Sequence, residues 1–251
     1  MCGRYGLIKP QVLAERGLLD ALAVDEVGPA VPGELAPRHN VAPGTDVLVA
    51  LAHRRDGVVR RRLDMARWGL LPRAAPDGKP ARRLVNVRAE TVARSPATRD
   101  AWGRGRRCLL PADVFYEWQD VPDGDDPTGG AARTRRGRLP WAFAMQDGAP
   151  FAFGAIWDAW RDPAAPDAPP QVTCAVLTTA PNALLAAVHD RMPVIVPPGS
   201  FGAWLDRDTP PAAAAALMGP YAAAEMRGWR ISTRVNDPRH DDPSLLEPVA
   251  G

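Results

Sequence analysis

This sequence predicts an α+β fold with a mainly antiparallel sheet. Short apolar, β-branched runs recur along the chain and are bounded by turn residues. Segments with helical periodicity are short and scattered. Strands and helices do not alternate in the regular order that builds a parallel βαβ sheet.

After Pro10, residues 11–23 read as a short amphipathic helix with Leu13, Leu18, Leu19 and Leu22 on one face. Residues 24–46 are broken by Pro and Gly and read as irregular. Residues 47–53 and 58–63 are expected to be strands around a turn at Asp56-Gly57. Residues 68–71 form an apolar segment ending at Pro72, and the loop 78–83 leads to 84–88. Residues 90–102 read as partly helical, interrupted near Pro96, and 106–110 and 114–118 as strands. The polar stretch 120–138, acidic and then basic around Gly129-Gly130, reads as a mobile loop insertion. Residues 141–145 and 151–156 predict a hairpin across Asp147-Gly148. A Pro-rich loop at 163–170 precedes a strand at 172–178. Residues 182–189 read as a helix with Pro181 near its first turn, and Pro193 acts as a stop beyond it. Short helices are expected at 201–205 and 211–218, and a late strand at 229–235.

The length of 251 residues fits one large domain. With 46% hydrophobic and 24% charged residues, a core can form without disulfides or a structural metal. The cysteines, Cys2, Cys108 and Cys174, are odd in number and widely spaced, which argues against a disulfide framework. No CxxC pair or His-rich cluster suggests zinc, and no metal or cofactor is expected. The N-terminus lacks the basic and apolar pattern of a signal peptide, and no apolar run is long enough to span a bilayer, so a cytoplasmic location is expected, at the nucleoid through DNA; a monomer is also expected. A net charge of +2 does not point to nucleic acid by itself. Its distribution is more suggestive: Arg60, Arg61 and Arg62; Arg82, Arg83 and Arg88; and Arg104, Arg106 and Arg107 form clusters able to pair with phosphates. The same clusters are equally readable as solvated surface charge.

The start, Met1-Cys2-Gly3-Arg4, carries distinct chemistry. The small second residue favours removal of Met1, which exposes Cys2 as a 1,2-aminothiol. An α-amine with a pKa of roughly 7.7 to 8.0 is partly neutral near pH 7 and condenses with an aldehyde to an imine. The thiol on the adjacent carbon then closes a five-membered thiazolidine, an intramolecular step. The same start also suits a cysteine autopeptidase or amidase, in which the thiol attacks an amide and the amine is the base. A non-covalent reader of modified bases is a third reading.

Four stretches accompany that start in a specific order: Met1-Cys2-Gly3-Arg4-Tyr5, Asn86-Val87-Arg88-Ala89-Glu90-Thr91, Phe115-Tyr116-Glu117-Trp118 and His189-Asp190-Arg191-Met192-Pro193. Arg38-His39-Asn40-Val41-Ala42-Pro43, Arg67-Trp68-Gly69-Leu70-Leu71-Pro72 and Val235-Asn236 support them. Together they resemble the SRAP family of SOS-response-associated peptidases, or abasic-site-processing proteins, over residues 2–248. The resemblance implies a single domain around a β-barrel-like sheet, a basic channel for single-stranded DNA, self-removal of Met1, and a covalent link between Cys2 and an abasic site. By motif match it assigns the catalytic set Cys2, Asn86, Glu117 and His189.

The residue types suit that chemistry. Imine formation moves protons, and a carboxylate and an imidazole can share the work. Glu117 lies in an apolar strand, where burial would raise its pKa. His189 ordinarily titrates near ~6.5, and Asn86 can donate and accept hydrogen bonds without charge. Read alone, Glu117 is an ion-paired strand residue, His189 a partner of a helix dipole and Asn86 a turn residue. Arg4, Arg88 and Arg191 are the candidates for phosphates flanking the lesion. By the family match Trp68 is expected to stack on a base or to pry the strand open beside the lesion, and Asn40 and Pro43 to line the channel.

Overall fold

The computed structural model describes residues 2–11, 21–79, 84–121 and 137–249. Most of the helix expected at 11–23, most of the insertion at 120–138, and Arg82 and Arg83 lie outside the described residues. The strands are β1 (Arg4–Leu7), β2 (Glu26–Val27), β3 (Arg38–Val41), β4 (Asp46–Arg55), β5 (Val58–Trp68), β6 (Asn86–Arg88), β7 (Arg107–Ala112), β8 (Val114–Asp120), β9 (Arg138–Met145), β10 (Phe151–Trp160), β11 (Gln171–Thr179), β12 (Met192–Pro193) and β13 (Met226–Arg230). The α-helices among the described residues are short: α1 (Arg99–Gly103), α2 (Phe201–Leu205) and α3 (Pro211–Ala215). The α+β, mainly antiparallel architecture is as expected.

Two sheets carry the fold. One runs β13-β9-β8-β1-β3, the other β12-β11-β10-β7-β4-β5-β2. The second sheet closes on itself, because β5 also pairs in parallel with β11 through Arg67↔Thr173 and Trp68↔Cys174. The path β11-β10-β7-β4-β5 therefore returns to β11 as a small barrel, and closure removes two sheet edges. The longest hairpin, β4–β5, turns at Asp56 (φ 51°) and Gly57 (φ 79°), the paired left-handed conformations of a type I′ turn.

Aromatic side chains join the two sheets. Phe115 of β8 stacks on Phe143 of β9, with ring centroids 5.3 Å apart, and meets Phe151 and Phe153 of β10 edge-on. Tyr5 of β1 bridges Phe153 and Trp68. Each such contact adds about 0.5–1.5 kcal/mol beyond area burial. Gly6 lets β1 sit tightly between its neighbours: a Cβ there would lie 2.8 Å from Val114 Cγ1 and 3.2 Å from the Arg38 carbonyl oxygen.

Several local expectations are corrected. Residues 141–145 and 151–156 do not form a hairpin. β9 pairs with β8 and β13, β10 with β7 and β11, so the Asp147-Gly148 turn passes the chain from one sheet to the other. Residues 24–46 are not wholly irregular but contribute β2 and β3. The helix expected at 182–189 is only a 3₁₀ turn, Leu185–Ala187, started by Asn182, whose Oδ1 accepts from the Leu185 N–H. The chain must return at once to pair Met192–Pro193 with β11. The 90–102 helix shrinks to α1 and the 211–218 helix to α3. The late strand is β13, and Thr233–Asn236 beyond it is a 3₁₀ turn. Among the described residues no helix is long and apolar enough to cross a membrane.

Residues 235–241 fold back over the start of the chain as a clasp. Asn40 Nδ2 donates to the carbonyls of Val235, Asp237 and His240. Asp241 Oδ1 accepts from the backbone N–H groups of His39 and Asn40. Arg4 completes the clasp, donating to Asn40 Oδ1 (2.9 Å), the Val235 carbonyl (2.7 Å) and the Asn236 carbonyl (3.0 Å).

Candidate active site

The clasped strand β1 delivers Cys2 to the site. In the β1–β8 register Arg4 sits opposite Tyr116, so the residues just before Arg4 run beside those just after Tyr116, beginning with Glu117. Alternation along β8 sends Val114 and Tyr116 into a small outer apolar cluster and Phe115 into the main core. Glu117 shares the face of Phe115 and is fully buried. β6 pairs in parallel with β11, Asn86 opposite Val176, and Asn86 Nδ2 donates to the Cys2 carbonyl at 2.8 Å. His189 comes just after the 3₁₀ turn and places Nε2 4.0 Å from Glu117 Oε2. The four residues that the motifs single out thus meet at one place.

Their electrostatics come from burial. Removal from water pushes the Glu117 carboxyl up to about 7, so both of its protonation states are populated at neutral pH. Burial lowers the His189 pKa, favouring the neutral ring. The Cys2 thiol is raised well above its usual value, first by burial and then by the charge of Glu117. The resting sulfur is a thiol, and reaction at sulfur needs a base beside it.

Gln119, which the sequence does not single out, ties the two halves of the site. Its Nε2 donates to the Ala187 carbonyl at 3.0 Å and its Oε1 accepts from Trp141 Nε1 at 3.2 Å. That amide links β8 to the turn that carries His189. Position two after Glu117 on the same strand was the available signal.

The expected DNA-binding residues separate. Arg88 is exposed at the end of β6, and Pro43 is half-buried at the turn before β4. Arg191 is held by a two-pronged bond to Glu90 (2.7 and 2.8 Å) and by the Thr178 carbonyl (2.6 Å). Among the described residues Arg4 donates to neutral carbonyl oxygens, with the Asp237 carboxylate near enough to act on its charge, and these bonds fix its position. Two expectations are corrected. Trp68 is 0% exposed, packs edge-on to Tyr5 and donates Nε1 to the Val85 carbonyl at 3.0 Å, so its face is not open to a base. Asn40 is buried, and its amide is spent on the clasp rather than on a channel wall. Asn40→Ala is expected to lower unfolding stability by about 2 kcal/mol, through loss of buried hydrogen bonds. Urea unfolding checks this, and an unchanged midpoint would show the clasp to be energetically idle.

A family model described as SOS response associated peptidase (SRAP) matches residues 1–238. The chain belongs to the SRAP family. Two relatives from Bacillus subtilis (strain 168) match nearly the whole chain. The abasic site processing protein YoqW is 33% identical over 248 residues, covering 98% of this chain and 99% of that protein. The abasic site processing protein YoaM is 34% identical over 248 residues, covering 98% of each. A crystal structure of a protein from Bacteroides thetaiotaomicron superposes with a TM-score of 0.76 at 19% identity, over 99% of this chain and 100% of that one. At that identity the likeness shows the fold alone.

Proposed function

We propose that this SRAP chain processes abasic sites in single-stranded DNA, capturing them covalently through a mature N-terminal Cys2. The observation that carries the proposal is the meeting of Cys2, Asn86, Glu117 and His189 around the chain start. It is supported by the names of the relatives, abasic site processing proteins.

Removal of Met1 frees the Cys2 amine. The neutral amine attacks C1′ of the opened deoxyribose, whose aldehyde only a sugar without its base exposes. The carbinolamine loses its hydroxyl as water, with protons carried by His189 and Glu117. The thiol then adds across the C=N bond, a C–S bond forms, and the thiol proton passes by way of Glu117 to the nitrogen. The product is a thiazolidine. Alternatively, loss of the C2′ proton from the iminium expels the 3′ phosphate by β-elimination and cuts the strand, which is lyase chemistry. Running capture backwards releases the lesion. Asn86 orients the Cys2 backbone, and Arg4 and Arg88 meet the flanking phosphates. Recognition then depends on backbone and shape rather than base edges.

Intact mass measurement with and without an abasic single-stranded oligonucleotide tests the proposal. The expected result is a protein lacking Met1 that gains the mass of the oligonucleotide less one water. A protein that keeps Met1, or turns over peptides in trans and gains no DNA mass, would replace capture with the amidase reading.

A further inference from the structure

His189 Nδ1 has two neighbours that make opposite demands on it. The backbone N–H of Arg191 lies 3.0 Å away and needs a lone pair there. The Asp190 carboxylate, with Oδ1 at 2.9 Å, needs a proton there. Nε2, on the far side of the ring, faces Glu117. A neutral imidazole has one ring proton, so the state of Nδ1 decides what Nε2 can do. With the proton on Nδ1 and donated to Asp190, Nε2 offers a lone pair and is a base. With Nδ1 accepting from Arg191, Nε2 carries the proton and can only donate.

We propose that Asp190 is a positioning residue that competes with the Arg191 N–H for Nδ1 and selects the tautomer in which Nε2 of His189 is the base. The inference rests on the capture reaction above and adds to it the residue that sets the direction of proton transfer. Asp190 takes no proton. Nε2 receives the proton that leaves the attacking Cys2 amine, Nδ1 keeps its own, and the imidazolium returns the Nε2 proton to the departing hydroxyl. The neutral ring predominates because burial lowers the His189 pKa, so the choice between tautomers governs the resting enzyme.

The two competitors differ in freedom. The Arg191 N–H sits beside a side chain anchored to Glu90 and Thr178. The Asp190 side chain is 82% exposed and can swing away. Three further charges influence the ring: the N-terminal amine, which disfavours the imidazolium, and then Asp120 and Arg138. Asp120 and Arg138 bond to each other at 2.8 Å, so their influence on the ring largely offsets.

Long-range proton–nitrogen correlation spectra of ¹⁵N-labelled protein without DNA report which ring nitrogen of His189 is protonated, with His189→Gln assigning the signals. Wild type is expected to carry the proton on Nδ1, and Asp190→Ala on Nε2. Asp190→Asn keeps an acceptor oxygen without the charge and is expected to keep the wild-type tautomer. With an abasic single-stranded oligonucleotide at saturation, Asp190→Ala is expected to form adduct about tenfold more slowly at unchanged half-saturating concentration, and Asp190→Asn to stay within about threefold of wild type. A wild-type tautomer in Asp190→Ala, or Asp190→Asn slowed as much as Asp190→Ala, overturns the proposal. A tautomer switch in Asp190→Ala, together with a wild type that forms no adduct, would remove the capture reaction and leave the Asp190 assignment standing.

Discussion

Cys2→Ala is expected to abolish the adduct that survives heat and denaturant, lowering its yield more than about 100-fold, because nothing then closes the ring on the imine. The α-amine survives the substitution, since alanine is also small enough for Met1 to be removed. An imine should still form and be trapped by borohydride as a shifted band on a denaturing gel. Cys2→Ser should behave similarly, its hydroxyl being a poorer nucleophile. The pairing of outcomes distinguishes the two atoms of the aminothiol. A heat-stable adduct from either variant without borohydride would place the covalent bond elsewhere. Loss of the borohydride-trapped species as well would mean that sulfur is needed before the imine, contrary to the order of steps proposed here.

Glu117→Gln should have the second large effect, in two measurements of opposite sign. Adduct formation at neutral pH is expected to slow about 100-fold, the usual scale for removing an acid–base group. The inflection near pH 7 set by the raised carboxyl should vanish from the pH–rate profile. Stability should move the other way. The folded protein holds the Glu117 proton up to about pH 7, whereas the unfolded chain releases it near the ordinary 4.5. The folded state therefore binds more protons between those values. Wild type loses stability as pH rises through that window, by about 3 kcal/mol in all. Glutamine carries no such cost. Urea midpoints of wild type and Glu117→Gln should be close at pH 4.5 and separate by pH 8, the variant being more stable. Equal midpoints at both pH values would contradict the burial of a raised carboxyl.

The sequence made some of this legible for local physical reasons. The β4–β5 hairpin could be read because Asp56-Gly57 supplies two left-handed residues between strand-forming runs. The burial of Glu117 could be read because its neighbours in the strand are apolar. The pairing of β9 could not be read, because Asp147-Gly148 is good turn chemistry whichever sheet the chain enters next. β3 stayed hidden because Arg38, His39 and Asn40 look like loop residues, its strand partner is the first strand of the chain, and the clasp partners of His39 and Asn40 lie about two hundred positions later. Trp68 misleads for a similar reason. It sits in a conspicuous motif, but strand alternation turns its ring inward, and only the closure of β5 on β11 reveals which face is inside. The four site residues come from separate elements, so their order along the chain, rather than any spacing, was the signal.

The clasp over β1 also sets a timetable for biosynthesis. Cys2 leaves the ribosome first, while the segment from Val235 to Asp241 that grips Arg4 and Asn40 emerges more than two hundred residues later. Until then β1 can pair with β3 and β8 and Asn86 can hold Cys2, but Arg4 and Asn40 lack the grip of the clasp. On the capture reading proposed above, the terminus that carries Cys2 therefore gains its full set of anchors only after residue 241 has been made.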